Sequence, residues 1–336
     1  MHHVANIADT FMATAVAPVL HKEAGMSAWE GATIFHSDWW LDAVAPGEWR
    51  KLEVAIDGRI VGILPIWERP SRLIKRLGSP PLTPVLGPAI DVGDGGENTR
   101  MHRRFKITSD LLAQVPRATT FRQHLDWTAP DVLAFQAAGY TTRPFYTLLV
   151  DCNCSEDVWS GMRQKTRRFI RRAEEKYSTS TCADIKQFMD FYCKNLQGAR
   201  VNAYAGFYML PALYDACIAR DSGKIFAAHG PNGKLAAAIF VVWGLGRAYY
   251  LLTTRDKTIQ DFGVVSLLIW RAMQEAHARS LVLDLDGITC RSVYHFLSGF
   301  GGVVRSRMIV EKQALWVDLA KATRRWLRGD GEAFLF

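Results

Sequence analysis

The stretch from Ala248 to Gly302 decides the fold. It runs Ala248-Tyr-Tyr-Leu-Leu-Thr-Thr254, then Gln260-Asp-Phe-Gly263-Val-Val265, then Leu281-Val-Leu-Asp-Leu285, and closes on Phe296-Leu-Ser-Gly299-Phe300-Gly-Gly302. The aromatic and β-branched first run reads as a strand. A glycine opens the apolar, helix-periodic segment Gly263–Arg279. Leu281–Leu285 is too short for a helix and reads as a buried strand, and Arg291–Leu297 reads as a helix stopped by Gly299. Strand, loop, helix, strand, helix is the order of an α/β layer built on a mixed, twisted sheet.

Upstream, helices are expected at Ser155–Tyr177, Asp184–Ala199 and Tyr208–Arg220, and strands at Ile225–His229 and Leu235–Val242 around the turn Pro231-Asn-Gly233. Downstream, strands are expected at Val303–Val310 and Gln313–Asp318, followed by a basic helix, Leu319–Leu327. The first half has the same grammar. Ser37 precedes a short helix, Asp38–Val44. Lys51–Ile56 and Arg59–Trp67 form a hairpin across Asp57-Gly58, a strong two-residue turn signal. Ser79–Asp94 is a Pro/Gly-rich loop. Helices at Arg100–Gln114 and Pro130–Ala138 alternate with strands at Ala118–Leu125 and Phe145–Val150. Strand–glycine turn–strand recurs at Gly58 and Gly233, and helix end–glycine–aromatic recurs at Gly139 and Gly299, which points to an internal duplication. With 336 residues the chain divides into a lead-in (1–30), a first domain (31–150), a second domain (151–328) and a tail (329–336).

Charge and composition exclude more than they select. Apolar residues at 49% and charged residues at 22% rule out a disordered or fibrous chain. The longest apolar run, about 235–246, is too short to span a bilayer, and Met1–Leu20 lacks Lys and Arg and carries Asp9, unlike a signal peptide. A cytoplasmic location is expected. The net charge of +8 suits an anionic partner without choosing one. Six cysteines without a CxxC pair give no zinc pattern, so no metal is expected. P-loop, dinucleotide, zinc-protease and nucleophile-elbow signatures are missing.

One helix carries unusual charge. Trp159, Met162, Thr166, Phe169, Ile170, Ala173 and Tyr177 recur at helical spacing, with Arg163, Arg167 and Arg171 on the adjoining stripe. Arg168, Arg172, Lys165 and Lys176 widen it against only Glu174 and Glu175. Like charges four apart repel, so the stripe is either a solvated basic face or a phosphate-binding one. Substrate contacts are expected of Arg167, Arg168 and Arg171. On Leu281–Leu285 alternation puts Asp284 and Asp286 on one face. Two buried carboxylates need pairing or work to do. Either Asp284 pairs with an arginine while Asp286 caps the turn at Gly287, or Asp286 serves as a proton acceptor.

The order of elements resembles the GNAT acyltransferase superfamily, and local strings are similar to its FemAB-like branch of tandem GNAT-type domains. Phe35-His-Ser-Asp-Trp39-Trp40 resembles the branch's opening "F-x-S-x-x-W". Gly62-Ile-Leu-Pro65, Leu82-Thr-Pro84 and Gly87-Pro88 resemble its first hairpin and loop. Arg167–Glu174 resembles its "R-x-x-I-R-K-A" helix, Ser266–Trp270 and Leu283–Gly287 its late helix and strand, and Phe296–Gly302 its "F-K-x-x-F-G-G". The resemblance spans 35–318 and implies two tandem GNAT-like α/β domains.

It also implies chemistry. The loop after the central strand would meet the pyrophosphate of acyl-CoA with backbone N–H groups at a helix start, here Arg255, Gln260, Phe262, Gly263, Val264 and Val265. Asp261 repels phosphate, and an ordinary strand-to-helix connection stays open. The tyrosine that protonates the leaving thiolate in GNAT enzymes falls at His295, with Tyr294 one earlier. Leu297 stands where the branch's cell-wall enzymes carry a phosphate-holding lysine. The implied activity is transfer of an acyl group, most simply acetyl, from acyl-CoA to a primary amine of a small molecule, sugar or envelope precursor. The alternatives are an aminoacyl-tRNA-dependent transferase, with tRNA as partner, and a non-catalytic RNA- or membrane-surface-binding module on the same fold.

Overall fold

The computed structural model describes residues 26–69, 74–129, 132–152, 158–196, 207–259, 261 and 263–314. The lead-in helix and the basic terminal helix expected from sequence lie outside these residues.

The helices are α1 (Asp38–Val44), α2 (Glu97–Ala113), α3 (Leu133–Ala137), α4 (Val158–Gly161), α5 (Gln164–Glu174), α6 (Ile185–Leu196), α7 (Leu210–Ile218), α8 (Gly263–Ala278) and α9 (Arg291–Leu297). The strands are β1 (Trp49–Ile56), β2 (Arg59–Arg69), β3 (Arg76–Gly78), β4 (Ala89–Ile90), β5 (Thr120–His124), β6 (Thr141–Asp151), β7 (Ser178–Thr181), β8 (Gly223–His229), β9 (Leu235–Gly244), β10 (Arg247–Arg255), β11 (Val282–Asp284) and β12 (Val303–Gln313). Together they make a mixed α/β fold, and among the described residues twelve strands join in one sheet, ordered β1-β2-β3-β5-β12-β6-β11-β10-β9-β8-β7 with β4 beside β2.

The pairing reads alike from both edges. From one side a hairpin (β1/β2) and an antiparallel neighbour lead to a parallel pair, β3/β5, then to antiparallel β12. From the other, inside the antiparallel edge strand β7, β8/β9 and β10 lead to parallel β10/β11, then to antiparallel β6. The helices α2 and α8 make the two crossovers. β12 and β6 meet at the centre over nine registered pairs, Val303↔Leu149 to Glu311↔Thr141. Each half therefore ends on a strand that pairs into the other half's sheet. No local signal in the sequence announces that exchange.

Local chemistry explains the elements. Asp57 and Gly58 turn between paired Ile56 and Arg59 with φ of 50° and 76°, the left-handed pair that a tight hairpin demands. Ser37 is the N-cap of α1. The expected single helix over 155–177 is instead α4 and α5, broken at Met162–Arg163. Arg163 is extended (φ −57°, ψ 140°), and its N–H donates to Gly299 O at 2.9 Å, so the chain leaves the helix at two residues and ties α5 to the segment after α9. The two strands expected from Val303 onward are one strand ending at Gln313, with residues 315–318 outside the described range.

The core lies on both faces of the sheet. One cluster packs Leu148, Val150, Val241, Leu268 and Leu283 under α5 and α8. A second packs Phe35, Trp40, Phe188, Leu213 and Phe240 on the opposite face. A third fills the first half around Leu64, Ile66, Leu111 and Phe135.

Candidate active site

β10 and β11 pair only from Arg247↔Val282 to Tyr249↔Asp284 and then part. Just past that point β10 carries a bulge: Tyr250 opposes Val241 and Leu252 opposes Phe240, leaving Leu251 outside the register. A bulge re-aims a side chain and takes backbone groups off the ladder. The gap opens into a cavity of about 1060 Å³ that Tyr250, Leu251, the start of α8, Asp286 and α9 line.

Asp286 follows β11 in a left-handed conformation (φ 45°) and faces this cavity. Its Oδ1 accepts from Arg307 Nη1 at 2.7 Å. The other arm of Arg307, Nη2, donates to Asp284 Oδ2. Asp284 and Arg307 are fully buried. Thr147 Oγ1 donates to Asp284 Oδ1 at 2.5 Å, and the Asp286 N–H donates to the same oxygen at 2.9 Å. Burial pushes the Asp284 carboxyl up to about 6 and the nearby Asp286 adds to this, against the pull of Arg307. Asp284 thus has its arginine, and Asp286 has a cavity.

The remaining expected residues separate. His295 lines the cavity near its rim and accepts from Arg291 Nε at 3.3 Å. Tyr294 is 40% exposed and does not reach the wall. Arg255, Gly263 and Val265 line the cavity, whereas Val264 points into the core. Gln260 and Phe262 lie outside the described residues. Arg167, Arg168 and Arg171 are off the wall; the segment contributes Arg163, Lys165, Thr166 and Phe169 instead. The reason is rotational. The helix buries Ile170 and Ala173, and Thr166 and Phe169 border that face, while successive residues turn by about 100°. Arg171 stacks over Trp159 at 5.5 Å.

The α8 start is crowded rather than open. A Cβ on Gly263 would lie 3.0 Å from Phe169 O and 2.8 Å from Asp261 Oδ1, so the bare glycine lets α8 pack against α5. The Gly263 N–H donates to Asp261 Oδ1 at 2.8 Å, and Lys176 Nζ stands 3.6 Å from Asp261. A carboxylate therefore occupies the helix start where an anion would be drawn.

The sequence reading missed Tyr250 and Arg307. Burial raises the Tyr250 phenol well above its usual range, so it stays a proton donor beside the bulge. Adjacent tyrosines on a strand point to opposite faces, which was the available signal. Chemically, the site offers a carboxylate acceptor, a neutral phenol donor and backbone groups freed by the bulge, the parts that acyl transfer to an amine requires.

Residues 160–291 match the family model of the acetyltransferase (GNAT) domain, Acetyltransf_6. That segment is a GNAT-type acetyltransferase domain. No curated protein matches its sequence. Among solved structures, this chain is similar to FemX, with a TM-score of 0.65 at 11% identity over 90% of this chain and 97% of that one. It is also similar to L-PGS from Bacillus licheniformis (0.53, 12%, 90% and 96%) and to a tandem GNAT protein from the clavulanic acid biosynthesis pathway (0.50, 13%, 81% and 86%). At these identities the likeness is one of fold. The GNAT-family match begins beside Gly161 and ends at Arg291, so it holds the bulge, the α8 start and Asp286, while Arg307 lies beyond it. Among the described residues no helix is long and apolar enough to cross a membrane, and no cluster of His, Cys, Asp and Glu could hold a metal ion.

Proposed function

We propose that the chain transfers an acyl group, most simply acetyl, from acyl-CoA to a primary amine of a small molecule, sugar or envelope precursor. The single observation carrying this reading is Asp286, a carboxylate on the wall where β10 and β11 part, beside a strand bulge. The acyl carbonyl enters that gap, and the freed backbone of the bulge stabilises the oxyanion. Asp286 takes the proton of the attacking ammonium, and Tyr250 or His295 protonates the leaving thiolate. Arg163, Lys165 and Arg255 line the same cavity and supply cations for the donor's phosphates. The donor then sits in residues 151–328, the reaction is cytoplasmic, and the first half helps shape the acceptor's approach. Incubation with acetyl-CoA and a panel of primary amines, reading thiol release, tests the reading; no release above the uncatalysed rate sinks it.

A second reading, aminoacyl transfer from tRNA, has one specific observation in its favour. Asp261 caps the α8 start, leaving a poorer seat there for a pyrophosphate. Charged tRNA in place of acetyl-CoA separates the two readings.

A further inference from the structure

We propose that Arg307 is a positioning residue of the transfer reaction: it fixes one oxygen of Asp286 and leaves the other to accept the amine's proton. The inference rests on the role given to Asp286 above.

Arg307 sits in the middle of β12, the strand that crosses into the first half's sheet, and its side chain is fully buried. A buried guanidinium needs one carboxylate for compensation. Arg307 has two. Asp284 alone would satisfy the electrostatics, since it is equally buried, and its oxygens are taken up by Arg307, Thr147 and the Asp286 N–H. The second carboxylate is the surplus one, and it is the one that reaches the cavity, with 28% of its side chain exposed. The trio carries two negative charges and one positive, so it presents a net negative charge where an ammonium must arrive.

The geometry holds Asp286 in two ways, on a backbone in the left-handed region that aspartate adopts more readily than most residues. Its N–H is tied to Asp284. Its Oδ1 is tied to Arg307, whereas Oδ2 receives no hydrogen bond from a described residue. The planar fork of arginine spans both aspartates at once, a reach a lysine ammonium lacks. His124, at the end of β5, is one neighbouring titratable group, beside Asp126, which is paired with Arg247, and the buried Tyr249, whose phenol burial holds neutral. Burial pushes His124 down to about 4, so it stays neutral and does not compete as a cation.

In the step this serves, the ammonium gives a proton to Asp286 Oδ2. The freed nitrogen lone pair forms the bond to the thioester carbon. The nitrogen then sheds a second proton, the carbon–sulfur bond breaks, and the sulfur leaves with the electron pair. It is protonated by Tyr250 or His295, which recovers a proton from the nitrogen by way of solvent, and Asp286 returns its own to solvent.

Arg307→Ala leaves Asp284 buried and unpaired and risks unfolding, so the test uses Asp284→Asn/Arg307→Gln, which removes both charges at similar volume. The probe is acetyl-CoA with glucosamine, lysine and spermidine, read by thiol release, alongside thermal melting. The double variant should melt close to the unaltered chain yet lose kcat by roughly 100-fold, with KM for acetyl-CoA within about twofold. In an Asp286→Asn background the same two changes should cost nothing further, because the group they position is already gone. Arg307→Lys should recover only part of the rate. A folded double variant with undiminished kcat overturns the inference alone, as does an additive loss in the Asp286→Asn background. Absence of transfer by the unaltered chain overturns the function itself and the inference with it.

Discussion

Asp126 and Arg247, 121 residues apart, form an ion pair at 2.5 Å that ties the loop after β5 to the first residue of β10. The Asp126 side chain is 1% exposed, and its second oxygen has no partner among the described residues. Arg247 also donates to Thr128 Oγ1 at 3.0 Å and stacks over Trp127 at 5.2 Å. Arg247→Ala would leave a buried carboxylate uncompensated, and the expected loss is about 3–5 kcal/mol. Urea unfolding measures it. Asp126→Asn/Arg247→Met should recover much of the loss, because no charge is then stranded.

Acidification should destabilise the fold. Burial holds His36 and His124 down to about 4 from 6.5, so between those values the unfolded chain binds more protons than the folded one. Stability then rises with pH across that window and is lost as pH falls through it, by on the order of 3 kcal/mol per histidine. Asp284, raised by burial from 3.8 to about 6, works in the opposite sense and offsets part of this. Unfolding free energies at pH 4.5 and 7 should therefore differ clearly. His36→Gln should remove most of the difference, because Asp284 already offsets much of one histidine's share, and Asp284→Asn should enlarge it.

The α8 start decides between donors. Gly263→Ala should lower stability and donor binding together, since its methyl meets the Phe169 carbonyl at 3.0 Å. Asp261→Asn is the cleaner probe: an amide oxygen still accepts from the Gly263 N–H, but the charge is gone. If CoA phosphates approach this helix start, Asp261→Asn should tighten CoA binding several-fold by calorimetry. Unchanged affinity would move the phosphates elsewhere.

Asp286→Asn should cut kcat by about 100-fold or more with little change in KM for the donor. Tyr250→Phe should cost roughly tenfold in kcat if its phenol protonates the leaving group, and it should be silent if His295 does. Steady-state kinetics on each single variant separates the two donors of the proton.

The arginines should sort by position. Arg163→Ala, on the cavity wall, should raise KM for acetyl-CoA. Arg167→Ala and Arg168→Ala should leave acetyl-CoA kinetics unaltered and weaken only a tRNA donor, more so at low salt. Arg171→Ala should behave alike, with up to about 1 kcal/mol of stability lost through its contact with Trp159.

What the chain determines by itself is local. Two residues, Asp57-Gly58, specify a hairpin because few residues tolerate left-handed φ. Apolar periodicity delimits α8 and the strand that became β10, and a glycine stop delimits α9. The family was also legible, because several short strings keep their order along the chain. The same locality explains what was missed. Nothing near Val303–Gln313 says that its partner strands are β5 and β6 rather than a neighbour in its own half. Arg307 looks like any charged strand residue until two aspartates 21 and 23 positions away meet it in the interior. Arg163, read as one member of a basic stripe, reaches the cavity only because its backbone leaves the helix to meet Gly299. Periodicity reports which face of an element is apolar; which element covers that face, and which buried charge finds its counter-charge, is decided by the packing of distant segments, where an unpaired ion costs more than any local preference can offset.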